Sequence, residues 1–193
     1  MKQQIFKLFF RGMLGALALI AIVLLLNFSV EKYREIRYPL KYFELLEDSA
    51  EENGLPPSFL FAVAHTESGF DPEAVSSVDA RGLMQITRDT FDWIQHKMRL
   101  EKPLDYDRYA TDPAVSARYG AYLLRLLYDE FGSYELALCA YHAGRGNLQK
   151  WLSDPELSPD GRTLKEIPFS DTRWYVGRVL ETQKSYQEIY HLQ

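Results

Sequence analysis

One acidic side chain stands out for where it falls. Glu67 closes a segment whose earlier residues, Phe59, Leu60, Phe61, Ala62, Val63 and Ala64, are all apolar, and Ser68-Gly69 follows it. A carboxyl at the end of a buried helix is partly stripped of water, which favours its neutral form. The carbonyl end of a helix also disfavours negative charge. Both effects raise its pKa towards neutrality, where a carboxylic acid can serve as a general acid and its conjugate base as a general base. Read locally, an ordinary solvated carboxylate in a last helical turn fits equally well. Other chemistries find less support. The histidines His65, His96, His142 and His191 have no metal-ligand spacing. The lone cysteine, Cys139, lies in the apolar run 136–140, excludes an intrachain disulfide and reads as a small buried hydrophobe. No metal and no cofactor is expected.

The elements that must position Glu67 read as helices. Lys41 to Asn53 is amphipathic, with Tyr42, Leu45, Leu46, Ser49 and Ala50 on one side and Asn53-Gly54 as its stop. Pro56-Pro57-Ser58 opens the helix that ends near Glu67; being apolar nearly all round, it belongs at the centre. A loop follows through Gly69, Pro72 and Gly82. Further helices are predicted at 87–98, 113–131, 133–143 and 172–189, with loops at 99–111 and 153–170. Alternating apolar patterns are absent. The domain is therefore mainly α, with at most a small β element in the loop after Glu67.

Ahead of this domain, residues 12–30 form a 19-residue stretch without a charge. As a helix it would be roughly 28 Å long, close to the hydrocarbon core of a bilayer. Lys2, Lys7 and Arg11 precede it and no acidic residue comes before Glu31, so the N-terminus is expected to be cytoplasmic and the remainder exported, as a single-pass membrane protein. A cleaved signal peptide is the rival, but Asn27-Phe28-Ser29-Val30 offers no small-residue cleavage pattern. The expected division is 1–30 N-terminus and anchor, 31–40 juxtamembrane linker, and 41–193 catalytic domain. The chain carries a net charge of −5, more negative still without the three leading cations. That argues against nucleic acid as a partner.

Four segments carry a family resemblance. From Glu67 the chain reads ESGFDPEAVSSVDARGLMQIT, which resembles the first signature of the soluble lytic transglycosylases. Residues 140–151, AYHAGRGNLQKW, resemble the second; residues 167–176, IPFSDTRWYV, the third; and DPAVSARYGAYLLRLL, from Asp112, the helix that connects them. The resemblance implies a lysozyme-like, mostly helical domain with a sugar-binding cleft, here preceded by one transmembrane helix. It implies peptidoglycan as substrate, cut between N-acetylmuramic acid and N-acetylglucosamine. Glu67 would protonate the glycosidic oxygen, the substrate's 2-acetamido group would stabilise C1, and the Glu67 carboxylate would then deprotonate the muramoyl 6-hydroxyl, which closes a 1,6-anhydro ring. No water is consumed, so one carboxyl suffices where most glycosidases use two. The resemblance also implies that Ser76 and Gln85 hydrogen-bond the sugar, that Tyr141 holds or polarises Glu67, and that Met84, Thr87, His142 and Asp171 belong to the sugar-contacting set. Tyr175 and Trp151 read equally as structural aromatics.

The chain departs from the family pattern at several points. Asp79 stands for a glycine, Thr87-Arg88 for Met-Pro, Ser116 for an asparagine, His142 for an asparagine and Asp171 for a glutamate. Asp tolerates left-handed backbone better than most residues, so the turn at Asp79 should survive. Thr87 and Asp171 bear on the shape of the sugar subsites. His142 introduces a group that titrates near neutrality. Two other readings stand beside a lytic transglycosylase: a hydrolytic muramidase of the same fold, for which Asp79 is the acid to examine, and a catalytically inactive glycan-binding module. An anchored enzyme could also serve a larger cell-envelope machine, whose members the sequence does not name.

Overall fold

The computed structural model describes residues 2–193. The side chains of Lys2 and of residues 5–9 fall outside the described ones, so the flanking cations Lys2 and Lys7 do too. The described residues divide into two compact units, one ending at Pro39 and one running from Leu40 to Gln193.

The first unit is a single helix, α1 (Lys2–Arg37). It passes without a break through the apolar stretch and on through residues 31–37 of the segment 31–40 expected as a linker. The last turn is closed by the Tyr38 amide donating to Arg34 O at 2.8 Å, just short of Pro39, which disfavours helix at the preceding residue. Phe10–Arg37 is long and apolar enough to cross a membrane, an 18-residue window within it reaching a mean hydropathy of 2.5. Its leucines, isoleucines and valines are exposed.

The second unit is helical, with α2 (Phe43–Glu52), α3 (Pro57–Ser68), α4 (Arg88–Met98), α5 (Tyr106–Tyr109), α6 (Pro113–Phe131), α7 (Tyr134–Ala143), α8 (Arg145–Leu152) and α9 (Ser170–Tyr190). Two of these were not expected. Short α5 lies within the predicted loop 99–111, nucleated by the Asp105 side chain, which accepts from the Arg108 amide. Helix α8 follows α7 after the single residue Gly144, whose φ of 88° turns the chain. Where the pattern was strong, local chemistry explains the ends. Pro57 sits in the first turn of α3 and left-handed Gly69 closes it. Asp112 caps α6 by accepting from the Val115 amide, with Pro113 next to it. Ser133 caps α7 by accepting from the Leu136 amide.

Helix α3 is the central element. Ser58 through Ala64 are all buried. It packs most extensively against α9 and also against α2; α6 lies against α2 and α7, and α7 joins α8 and α9. An all-apolar helix needs cover on every side, and these neighbours supply it. Among the described residues the only β pairing is a pair of isolated antiparallel bridges, Val75 with Arg81 and Arg81 with Ile86. They lie in the loop after Glu67, where a small β element was expected.

Candidate active site

Glu67 sits in the last turn of α3 with its carboxyl enclosed by protein and part of its side chain open to solvent. Tyr175 of α9 donates its hydroxyl to Glu67 Oε1 at 2.6 Å. Burial raises the Glu67 pKa from 4.5 to about 7, against the hydrogen bond from Tyr175, which lowers it. Removal from water is the larger effect, and it leaves an acid poised to give a proton and take one back near neutral pH. Burial and the nearby carboxyl push the phenols of Tyr175 and Tyr141 well above their ordinary range, so both remain neutral donors.

The contact expected of Tyr141 belongs to Tyr175. The Tyr141 hydroxyl, carried by α7, donates instead to the backbone oxygen of Met84 at 2.6 Å. Tyr141 lies close enough to feel the Glu67 charge, but its bond fastens the loop between α3 and α4. Tyr175 was legible in principle: it shares a buried stripe of α9 with Thr172, Val176 and Val179, and a tyrosine hydroxyl on such a stripe needs a partner.

That loop is held from several directions. Ser68, next to the acid, donates to Leu83 O at 2.9 Å. The buried Ser116 hydroxyl of α6 accepts from the Met84 amide at 3.1 Å. Gly82 has φ of 78°, and a Cβ there would stand 2.3 Å from Ala110 O, so only glycine fits. The Tyr106 hydroxyl has its one proton within reach of both Asp79 O and Ile86 O, while the guanidinium groups of Arg81 and Arg88 lie over its ring at 4.8 and 4.5 Å. Asp79 adopts the left-handed conformation, φ 58°, as its place in the turn requires. Its carboxylate is exposed and paired with Arg81 at 2.7 Å, which leaves it as a structural partner of the loop rather than a base for water.

Within this loop the expected sugar contacts meet different fates. The Ser76 hydroxyl accepts from the amides of Val78 and Ala80, closing the turn, and keeps its own proton to donate. Gln85, strained at φ 46°, gives both amide protons to the backbone oxygens of Ala74 and Gly82; its side-chain oxygen is what remains for a ligand. Met84 must be corrected. It is 0 % exposed and packs on Gly120, where a Cβ would come within 2.6 Å of it, so its side chain has no surface to offer a sugar.

Thr87 precedes α4 and its hydroxyl donates to Thr90 Oγ1 at 2.9 Å. Thr90 lines a cavity of about 330 Å³ together with Asp89, Trp93, Leu123, Tyr141 and Arg145. The cavity does not include Glu67; it adjoins the acid through Tyr141. On the other side, the exposed His142 ring lies over Tyr175 with centroids 4.5 Å apart and planes 28° from parallel, and His142 Nδ1 shares a 3.1 Å hydrogen bond with Thr172 Oγ1. The exposed Asp171 carboxylate accepts from the Thr172 amide. The structure thus gathers Glu67, Tyr141, His142, Asp171 and Tyr175 at the meeting of α3, α7 and α9, with Ser76 and Gln85 on the loop. Among the described residues no group of histidine, cysteine or carboxylate side chains could hold a metal. Trp151 is buried, edge-on to Phe169, and Cys139 is buried with its thiol pushed up to about 12, chiefly by removal from water.

Comparison with known proteins identifies relatives of this chain. Residues 44–160 match the model of the Transglycosylase SLT domain family. The soluble lytic murein transglycosylase of Escherichia coli K12 is 32% identical over 157 residues, which cover 79% of this chain and 24% of the relative. The crystal structure of the 70 kDa soluble lytic transglycosylase from Escherichia coli superposes with a TM-score of 0.72 at 27% identity, over 84% of this chain and 26% of that one. An inactive Glu-to-Gln mutant of the lytic transglycosylase Slt from Pseudomonas aeruginosa gives 0.71 at 33% identity, over 82% and 26%. The chain thus spans about a quarter of the length of these relatives. With its helical body, its motif segments and this match over most of the globular unit, the chain belongs to the Transglycosylase SLT domain family.

Proposed function

We propose that this chain is a membrane-anchored lytic transglycosylase acting on peptidoglycan, with Glu67 as its acid and then its base. The observation that carries the proposal is the enclosed Glu67 carboxyl, held by Tyr175 at 2.6 Å and raised to about 7. It is protonated enough to donate to the bridging oxygen, and its conjugate base is basic enough to take the proton of the muramoyl 6-hydroxyl. The bond from C1 to the bridging oxygen breaks, the bond from the 6-oxygen to C1 forms, and the proton count on Glu67 is restored. The relatives' names point to the same reaction, and the inactive Glu-to-Gln mutant of one of them points to a glutamate as the catalyst. Ser76 and the Gln85 side-chain oxygen are the polar groups offered to the sugar; Thr87, His142 and Asp171 border the cleft. Helix α1 would hold the catalytic unit at the outer face of the membrane, with the N-terminus in the cytoplasm.

The test is digestion of purified peptidoglycan with the full chain in detergent, and with Glu67→Gln, followed by mass spectrometry. Anhydromuramoyl products from the wild type alone are expected. Products one water heavier, with reducing ends, would make the protein a muramidase. Glycan that is bound but uncut by both proteins would make it a binding module.

A further inference from the structure

His142 occupies a place from which it can act on Glu67 through a neighbouring side chain. Its ring covers the ring of Tyr175 at 4.5 Å, and Tyr175 holds Glu67 at 2.6 Å. The ring cannot swing away freely, because Nδ1 is tied at 3.1 Å to the hydroxyl of Thr172, a residue 1 % exposed on the same helix as Tyr175. His142 is an exposed residue, so protons reach it from solvent.

We infer that His142 is a positioning residue that couples protonation of its own ring to Glu67 through Tyr175. A neutral imidazole stacks on the phenol and fixes its direction. A protonated one becomes a cation over the ring face. It draws electron density from the phenol, strengthens the hydroxyl as a donor to Glu67, and favours the carboxylate form of the catalyst. It also sets a positive charge beside a site where the sugar develops positive charge. The charged and titratable groups set against His142 are few. Asp171 on α9 favours its cationic form, while burial against α9 opposes it, with a net lowering of its pKa. Tyr175 stays neutral, and Glu67 on α3 lies behind it. The proton therefore arrives on the acid side of neutrality, where the acid would otherwise be fully loaded. The catalytic consequence rests on the function proposed above; the coupling itself does not.

The experiment follows the Glu67 carboxyl carbon by NMR through a pH titration of the full chain in detergent, in the wild type, His142→Asn, Tyr175→Phe and the double variant. The wild type should titrate in two steps, whereas His142→Asn should show one, the two curves differing by roughly half a pH unit, about threefold in the dissociation constant. In the Tyr175→Phe background, His142→Asn should change nothing further. In parallel, the acid limb of the kcat/KM profile should flatten in His142→Asn relative to the wild type. Superimposable Glu67 titrations in wild type and His142→Asn would overturn the inference. So would a second step that survives in Tyr175→Phe, because the tyrosine would then not be the link. Failure of the wild type to cut peptidoglycan would refute the function while leaving the titration to decide the coupling.

Discussion

At the scale of single residues the site turns on the balance between burial and one hydrogen bond at Glu67. Burial raises the acid and Tyr175 restrains that rise. Tyr175→Phe should therefore move the basic limb of the rate profile to higher pH, while loss of orientation lowers kcat at neutral pH by about tenfold or more; a pH–rate series checks both signs. The same raised pKa affects stability. A carboxyl that ionises near pH 7 when folded, and near 4.5 when unfolded, destabilises the fold only where it must be charged. The penalty is absent below pH 4.5, grows between 4.5 and 7, and is complete above 7. It amounts to at most about 3 kcal/mol, less to the extent that water reaches the carboxyl. Glu67→Gln, which keeps the shape and lacks the charge, should match the wild type in denaturant at pH 4 and exceed it at pH 8.

At the scale of elements, the loop from Gly69 to Thr87 carries Ser76 and Gln85, the sugar contacts proposed above, and has almost no regular structure of its own. Its rigidity comes from outside: Ser116 and Tyr106 beneath it, Tyr141 across it, and Gly82 pressed against Ala110. Ser116→Ala would leave the buried Met84 amide without an acceptor, a loss of about 1–3 kcal/mol, seen as a lower thermal midpoint. Gly82→Ala combines a Cβ collision with backbone at 2.3 Å and an unfavourable φ. It should destabilise by more than about 2 kcal/mol, and the damage should appear in hydrogen exchange of the loop before that of α3. At position 116, where the resembled pattern has asparagine, the serine hydroxyl accepts from the Met84 amide at 3.1 Å.

At the scale of the whole molecule, the chain has two units of opposite character, an exposed apolar helix and a compact helical unit with a buried core. The full chain should partition into detergent, and a shortened chain starting at Leu40 should remain in water with its helical circular dichroism and an undiminished Glu67 pKa. The orientation proposed for α1 can be read by thiol labelling in intact cells. Cys139 is buried and its thiol stays protonated, so the wild type is silent. A cysteine placed at Val78, which is 73 % exposed, should label from outside, and one at Gln4 only after the membrane is opened. Labelling at Gln4 in intact cells would reverse the topology.

Much of this was determined along the chain itself. The mainly helical class, the long apolar helix, the central apolar α3 and its acid follow from periodicity and from Pro, Gly, Asp and Ser at helix ends, because those are interactions between residues a few positions apart. The motif segments pointed to the family for the same reason: they are short runs in order. Short α5 and α8 escaped because four and eight residues carry too little periodicity to stand out from a loop, and their boundaries rest on one cap and one glycine. What only the tertiary structure decided is which side chains meet. Whether Tyr141 or Tyr175 holds Glu67, whether Met84 faces sugar or core, and what lies over Tyr175 depend on how α3, α7 and α9 pack. Their hydroxyls, sulfur and imidazole are separated from their partners by tens of residues, and a hydrogen bond is satisfied or missed by less than an ångström. No spacing within the sequence encodes that difference; the packing of three helices does.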